Sequence, residues 1–305
     1  MRRFDLLSIG EPLLEFNQTR PGEPTYLQGF GGDSSNAAIA AARQGARVAY
    51  YTRLGKDEFG ASFRRLWAQE GVDASAVQED PAAHTGIYFI THGPEGHIFS
   101  YLRAGSAASR MAPADLPLAL IREARFVHAS GISMAISGSA HDAVLAAIAV
   151  AREAGASVSF DSNLRLRLWP VEAAREAIGR AAALADYFFP SLDDARVLSG
   201  RDEEEANLDW AHGLGARNVL LKLGAGGALV SDGHTRTRLA GMKVQAVDAT
   251  GAGDCFCGAT LARLAAGDDL IAAARYGNAA AALSTTGFGA VAPQPRPDAV
   301  RRLLG

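Results

Sequence analysis

Asp248-Ala249-Thr250-Gly251-Ala252-Gly253-Asp254, followed at once by Cys255-Phe256-Cys257-Gly258-Ala259, sets two carboxylates around a run of small residues that opens an apolar helix. Gly251, Ala252 and Gly253 let the backbone approach a ligand closely, and the unpaired N–H groups of the first helical turn face whatever sits there. Such a turn is an anion hole. Asp254 is electrostatically at home at a helix N-terminus, and it is placed to take a proton from a hydroxyl attacking a phosphate held by those amides. Taken alone, the run reads as readily as an Asp-capped, Gly-rich turn, so its surroundings must decide.

Working outward, strand and helix signals alternate along most of the 305 residues. Phe4–Ile9, Val48–Tyr51, Phe126–Ala129, Ser157–Asp161, Tyr187–Phe189 and Val219–Leu223 read as strands. Between them, Ser34–Gln44, Phe59–Glu70, Ser139–Ala154, Val171–Leu184 and Glu203–Leu214 have helical periodicity. That order predicts an α/β layer architecture around a mostly parallel sheet, in one domain spanning 1–305. Leu13–Gly29 and Gly86–Leu102 break the alternation. They are rich in β-formers with Gly, Pro and His-Gly punctuation, as small antiparallel strands would be, and they predict a lid projecting from the main sheet.

Composition removes several functions. A formal charge of -3 with no basic stripe gives no case for nucleic acid. No apolar run approaches the roughly 18 residues of a membrane span. The start, Met1-Arg2-Arg3-Phe4-Asp5, enters a strand where a secretory leader would carry an apolar core, so a cytoplasmic location is expected. Cys255 and Cys257 are two apart on a helix and face different ways, which predicts buried thiols and neither disulfide nor metal. A Walker-type Gly-Lys-Ser/Thr loop is absent. A nicotinamide loop fits poorly too, since Gly10-Glu11-Pro12 ends the first strand where a helix should begin.

Three blocks in order carry a family resemblance. Gly31-Gly32-Asp33-Ser34-Ser35-Asn36-Ala37-Ala38 opens a helix, Arg53-Leu54-Gly55-Lys56-Asp57-Glu58-Phe59-Gly60 follows a strand, and Asp248–Asp254 comes late. Together they resemble the ribokinase-like (PfkB) carbohydrate kinases over essentially the full length. The resemblance implies a three-layer α/β sandwich with a β lid, and ATP-dependent phosphorylation of a sugar hydroxyl. It makes Asp254 the general base and the amides of Ala252 to Asp254 the anion hole, with Thr250 and Gly251 close by. Phosphoryl transfer asks for positioning, a base, amides at the developing charge and exclusion of water, and each has a candidate here.

On the nucleotide side, Lys222-Leu223-Gly224-Ala225-Gly226-Gly227-Ala228 resembles the family's turn, with Gly224, Gly226 and Gly227 admitting phosphate or ribose. Asn278 resembles the adenine-side polar residue. The family's Asn-x-x-Glu block is replaced by Ser191-Leu192-Asp193-Asp194, in which Asp194 can still act on Mg²⁺ through water.

On the sugar side, Tyr101 and Arg103 share one face of a strand, and Arg165 follows the strand Ser157–Asp161, where ligands of α/β sheets bind. Two arginines aimed at one pocket suggest a carboxylate, which guanidinium grips bidentately. Gly10-Glu11-Pro12-Leu13-Leu14-Glu15-Phe16, Tyr101-x-Arg103 and Asp161-x-Asn163-x-Arg165 with Leu168-Trp169 resemble the 2-keto-3-deoxygluconate kinases within the family. That likeness implies that Gly32 and Asn36 contact the sugar, Tyr88 and Tyr101 lie over it, Arg103 and Arg165 hold its carboxylate, and Asn163 lies near the incoming phosphate. A kinase for a neutral ketose, pentose or nucleoside is the alternative within the class. A non-catalytic sugar sensor is the alternative outside it. The alternating, edge-rich lid segments also predict a homo-oligomer formed through the lid.

Overall fold

The computed structural model describes residues 2–93 and 96–305. Met1, and Pro94 and Glu95 of the expected lid, lie outside the described residues. Eight strands form the main sheet, in the order Arg236–Ala240, Gly227–Ser231, Asn218–Lys222, Tyr187–Phe189, Ser157–Asp161, Ala124–Ser130, Phe4–Ile9 and Val48–Tyr51. The last six run parallel, in register pairs such as Leu6↔Phe126 and Ser159↔His128. The antiparallel hairpin Gly227–Ser231 and Arg236–Ala240 extends one edge, beyond the strands expected from sequence.

Alternation along the strands explains the three layers. Leu7, Phe188, Val219 and Leu221 face a core shared with the helices Gly138–Glu153, Val171–Ala183 and Glu204–Leu214. Their neighbours Leu6, Phe189 and Leu220 face the opposite core, with Asp33–Arg43, Glu58–Glu70 and Ala252–Ala266. Strands buried on both faces by helices are what a parallel sheet requires. Among the described residues no helix is long and apolar enough to cross a membrane.

The lid is a four-stranded sheet ordered Tyr26–Gly31, Leu13–Gln18, Ile87–Gly93 and Gly96–Leu102. The wholly antiparallel expectation needs correction, because its central pair, Leu13–Gln18 with Ile87–Gly93, is parallel, and it joins two antiparallel hairpins. Asp57 anchors the lid's second entry: its carboxylate caps the helix Glu58–Glu70 through the Gly60 N–H at 2.7 Å and also accepts the Thr85 N–H at 2.7 Å.

Helix packing brings the two halves of the site together. At Gly258 a Cβ would stand 2.1 Å from the Ala37 carbonyl oxygen, so only glycine lets the helices Asp33–Arg43 and Ala252–Ala266 lie this close. Ala37 and Ala40 meet it from the other side, both buried. This contact carries Asn36 to Asp254, where Asn36 Nδ2 donates to Asp254 Oδ2 at 2.8 Å across 218 positions of sequence.

Candidate active site

The C-terminal ends of the parallel strands, the lid and the N-terminal turns of two helices enclose a cavity of about 1420 Å³. A single small ligand needs roughly 300–1,000 Å³, so this space accommodates two. Gly32, Asn36, Tyr88, Tyr101, Arg103, Asn163, Arg165, Ser191, Asp194, Lys222, Gly224, Gly227, Gly251, Ala252, Gly253, Asp254 and Asn278 all line it. Gly226, expected on the nucleotide side, does not line it and instead turns its N–H onto the Leu223 carbonyl at 3.0 Å.

Gly251 is the N-cap of the helix Ala252–Ala266 and adopts φ 74°, a left-handed conformation that glycine takes without strain. The Ala252 N–H bonds back to the Ala249 carbonyl at 3.2 Å, whereas the Gly253 and Asp254 N–H groups have no acceptor among the described residues. Of the three amides expected to form an anion hole, only those of Gly253 and Asp254 are open among the described residues. Asp248 braces the turn, with Oδ1 accepting from Thr250 N at 2.9 Å and Thr250 Oγ1 at 2.6 Å, and Oδ2 accepting from Gly289 N at 2.9 Å. Asp254 has its carboxyl pushed up to about 8, first by burial and then by the Asp33 carboxylate, against the bond from Asn36.

On the lid side, Tyr88 and Tyr101 stack with centroids 5.8 Å apart. The Tyr88 hydroxyl donates to Glu15, so this ring offers its face rather than its polar end to the cavity. Arg103 donates to Glu11, a fully buried carboxylate that also accepts from Ser106 Oγ, while burial raises the Glu11 carboxyl against the pull of Arg103. Arg165 differs. It bonds only the Leu164 carbonyl, at 2.8 Å, and has no carboxylate partner among the described residues.

On the sheet side, Ser191 caps the helix Leu192–Ser199 through the Asp194 N–H at 3.1 Å. Asp194 Oδ2 accepts from Ser162 Oγ at 2.7 Å and Leu164 N at 3.1 Å, and so fixes the turn that carries Asn163 and Arg165. Asn163 has φ 30° and donates to Asp33 Oδ2 at 3.0 Å. Asn278 Nδ2 is held by the Ala240 carbonyl at 2.8 Å. Lys222 is paired with Asp161. Cys255 and Cys257 are free and buried, as expected. Among the described residues no three metal-ligating side chains gather, but Mg²⁺ brought by ATP commonly needs only one or two carboxylates, and Asp194 at the cavity wall fits that demand.

Three buried carboxylates that line the cavity, Glu11, Asp33 and Asp161, have no role predicted from sequence. Asp161 ends a strand, Glu11 follows the strand Phe4–Ile9 after Gly10, and Asp33 follows a Gly-Gly turn, which was the available signal. Their partners lie far along the chain.

Room for two ligands, a buried carboxyl and open amides at a helix N-terminus are what transfer of a phosphoryl group between two bound molecules would ask of a site. The chain belongs to the pfkB family of carbohydrate kinases, whose model matches residues 4–297. It is 38% identical to the 2-dehydro-3-deoxygluconokinase of Thermoproteus tenax, over 95% of this chain and 92% of that one. It is 34% identical to fructokinase-2 of Solanum habrochaites, over 98% and 95%. Its fold matches that of a protein from E. coli described as a ribokinase II, solved with ATP and Mg²⁺, at TM-score 0.91 and 26% identity, covering 98% of each chain. The protein is therefore a sugar kinase, with the ribokinase-like fold and ATP use of its family.

Proposed function

We propose that the chain phosphorylates the terminal hydroxyl of 2-keto-3-deoxy-D-gluconate, giving 2-keto-3-deoxy-6-phosphogluconate and ADP. One observation carries this reading: Arg165 lines the cavity without a carboxylate partner among the described residues, and Arg103 lines the same cavity. An acid group on the substrate is the natural complement of such a guanidinium. Identity to the Thermoproteus tenax enzyme supports the same choice, and the nearly equal identity to a fructokinase keeps a neutral ketose as the alternative.

In this reading Gly32, Asn36, Tyr88 and Tyr101 surround the sugar and Arg103 and Arg165 grip its carboxylate, with Glu11 fixing Arg103. Asn163, Ser191, Lys222, Gly224, Gly227 and Asn278 take the nucleotide, and Asp194 meets Mg²⁺ through water. The Mg²⁺ neutralises phosphate charge when bound. Asp254 accepts the proton of the terminal hydroxyl as its oxygen attacks the γ-phosphorus, while Gly251 shapes the turn that aims the Gly253 and Asp254 amides at the transferred group.

The test is kcat/KM for 2-keto-3-deoxygluconate and for fructose, with wild type, Arg103→Ala and Arg165→Ala. Charge-assisted bonds of roughly 1.5–3 kcal/mol predict a loss of about 10- to 150-fold on the acid, mostly in KM, and much less on fructose. Preference of wild type for fructose, or undiminished discrimination in both variants, overturns the substrate assignment.

A further inference from the structure

Asp161 ends the strand Ser157–Asp161 and Lys222 ends Asn218–Lys222, so both side chains leave the sheet at its C-terminal edge, flanking Tyr187–Phe189. Lys222 Nζ lies 2.6 Å from Asp161 Oδ2, with the side chains 15% and 3% exposed. A buried pair of this kind gains little over an apolar pair of equal volume, because desolvation offsets the attraction. Stability is therefore a weak reason for it.

Its place suggests another. A Cβ built on Gly253 would stand 3.4 Å from Lys222 Nζ, which sets the ammonium against the first turn of the helix Ala252–Ala266. There the Gly253 and Asp254 N–H groups are open. Lys222, Gly253 and Asp254 all line the cavity. An ammonium has three donors, and Asp161 is the one carboxylate with which Lys222 forms a salt bridge among the described residues. Asp161 in turn accepts from Asn163 N at 3.1 Å and Cys257 Sγ at 3.3 Å, so three separate segments fix it.

We propose that Lys222 is a catalytic residue whose ammonium binds the oxygens of the transferring phosphoryl group beside the Gly253 and Asp254 amides, and that Asp161 is the positioning residue that holds it there. The proposal rests on the sugar-kinase reading and holds for an acidic or a neutral acceptor. In the step, the sugar's terminal oxygen bonds to the γ-phosphorus as the bond to the β,γ-bridging oxygen breaks. The hydroxyl proton goes to Asp254, and the electron pair leaves with ADP. Lys222 exchanges no proton; it faces charge spread over the phosphoryl oxygens. Burial pulls the ammonium down, but the carboxylates of Asp161 and, more weakly, Asp194 outweigh burial and keep it protonated.

The variants are Lys222→Met, Lys222→Arg and Asp161→Asn, assayed with the sugar that wild type phosphorylates faster, 2-keto-3-deoxygluconate or fructose. A wrong sugar assignment then shows in the wild-type rates, and a wrong role for Lys222 shows only in the variants. Lys222→Met should lower kcat about 10²- to 10³-fold and weaken the complex of ADP, aluminium fluoride and sugar by a similar factor. Affinity for ADP alone should fall much less, because the contact proposed here is made to the transferring group. Lys222→Arg, which keeps the charge and the pair, should recover part of the rate and guards against a Met variant that fails to fold. In Asp161→Asn, burial acts on the ammonium with less opposition, so activity should fall as pH rises over a range in which wild type is flat. Wild-type kcat in Lys222→Met, equal weakening of ADP and of the aluminium fluoride complex, or no new alkaline fall in Asp161→Asn overturns the proposal.

Discussion

Replacing Asp254 with Asn should cost activity and add stability, and the second effect should grow with pH. The Asp254 carboxyl is pushed from an ordinary 3.8 to about 8, by burial first and by the neighbouring Asp33 carboxylate next. The folded protein thus holds a proton between about pH 4 and 8 that the unfolded chain releases. Stability from this group is fully present below the unfolded value and is lost as pH rises towards 8. The amide of Asp254→Asn is neutral at every pH and escapes that loss. Each pH unit between the two values corresponds to about 1.36 kcal/mol, so a gain on the order of a few kcal/mol is expected above about pH 8.

Thermal melts of wild type and Asp254→Asn at about pH 5, 6, 7 and 8.5 should therefore diverge by several degrees at the alkaline end and converge towards about pH 4. Kinetically, a lost general base costs on the order of 10²- to 10⁴-fold in rate. Wild-type kcat/KM should itself rise about tenfold per pH unit up to about pH 8, because at pH 7 only about a tenth of the free enzyme carries an ionised base. A coupled ADP-release assay across the same pH values reads both. Near-normal turnover in Asp254→Asn, or a melting difference that does not change with pH, refutes the reasoning that burial has tuned this carboxyl as a base.

Gly251→Ala should melt lower by a few degrees and lose most activity, since φ 74° costs a side chain roughly 1–2 kcal/mol and the new Cβ would stand 2.8 Å from Ala290 Cβ; melting and turnover equal to wild type would show that the turn is not constrained. The lid is proposed to dock against its copy in a dimer, with Leu27 and Leu102 exposed at 63% and 57%. Sedimentation at micromolar concentration should give a dimer that the double change Leu27→Asp, Leu102→Asp converts to monomer, and a wild-type monomer would end the idea.

The parts of the fold that were legible in sequence are those whose signal is local. Val48–Tyr51 and Tyr187–Phe189 are short apolar runs in a sheet covered by helices on both sides, and their bounds follow from composition alone. The hairpin strand Arg236–Ala240 was not, because it lies at the sheet edge with two exposed arginines and shows no apolar alternation. The parallel centre of the lid was hidden for another reason. Leu13–Gln18 and Ile87–Gly93 each look like half of a hairpin, and nothing within either strand specifies a partner some seventy positions away.

The same division runs through the site. The turn proposed as an anion hole was readable because its residues are contiguous: glycine at the turn, amides in the next residues, and the proposed base at the end of the run. Its electrostatics were not, because they are set by pairs such as Glu11 with Arg103 and Lys222 with Asp161, separated by 92 and 61 positions. This bears directly on how arginines are read. Arg103 and Arg165 look equivalent in sequence as candidate clamps, yet Glu11 already offsets the charge of one and leaves the other open. If both grip the substrate's acid group, the open guanidinium supplies the uncompensated charge and the paired one supplies direction. Arg165→Ala should then lose more discrimination between acid and neutral sugar than Arg103→Ala does, and kcat/KM for the two sugars in each variant measures it; an equal loss in both would show that the Glu11 pairing does not divide their roles.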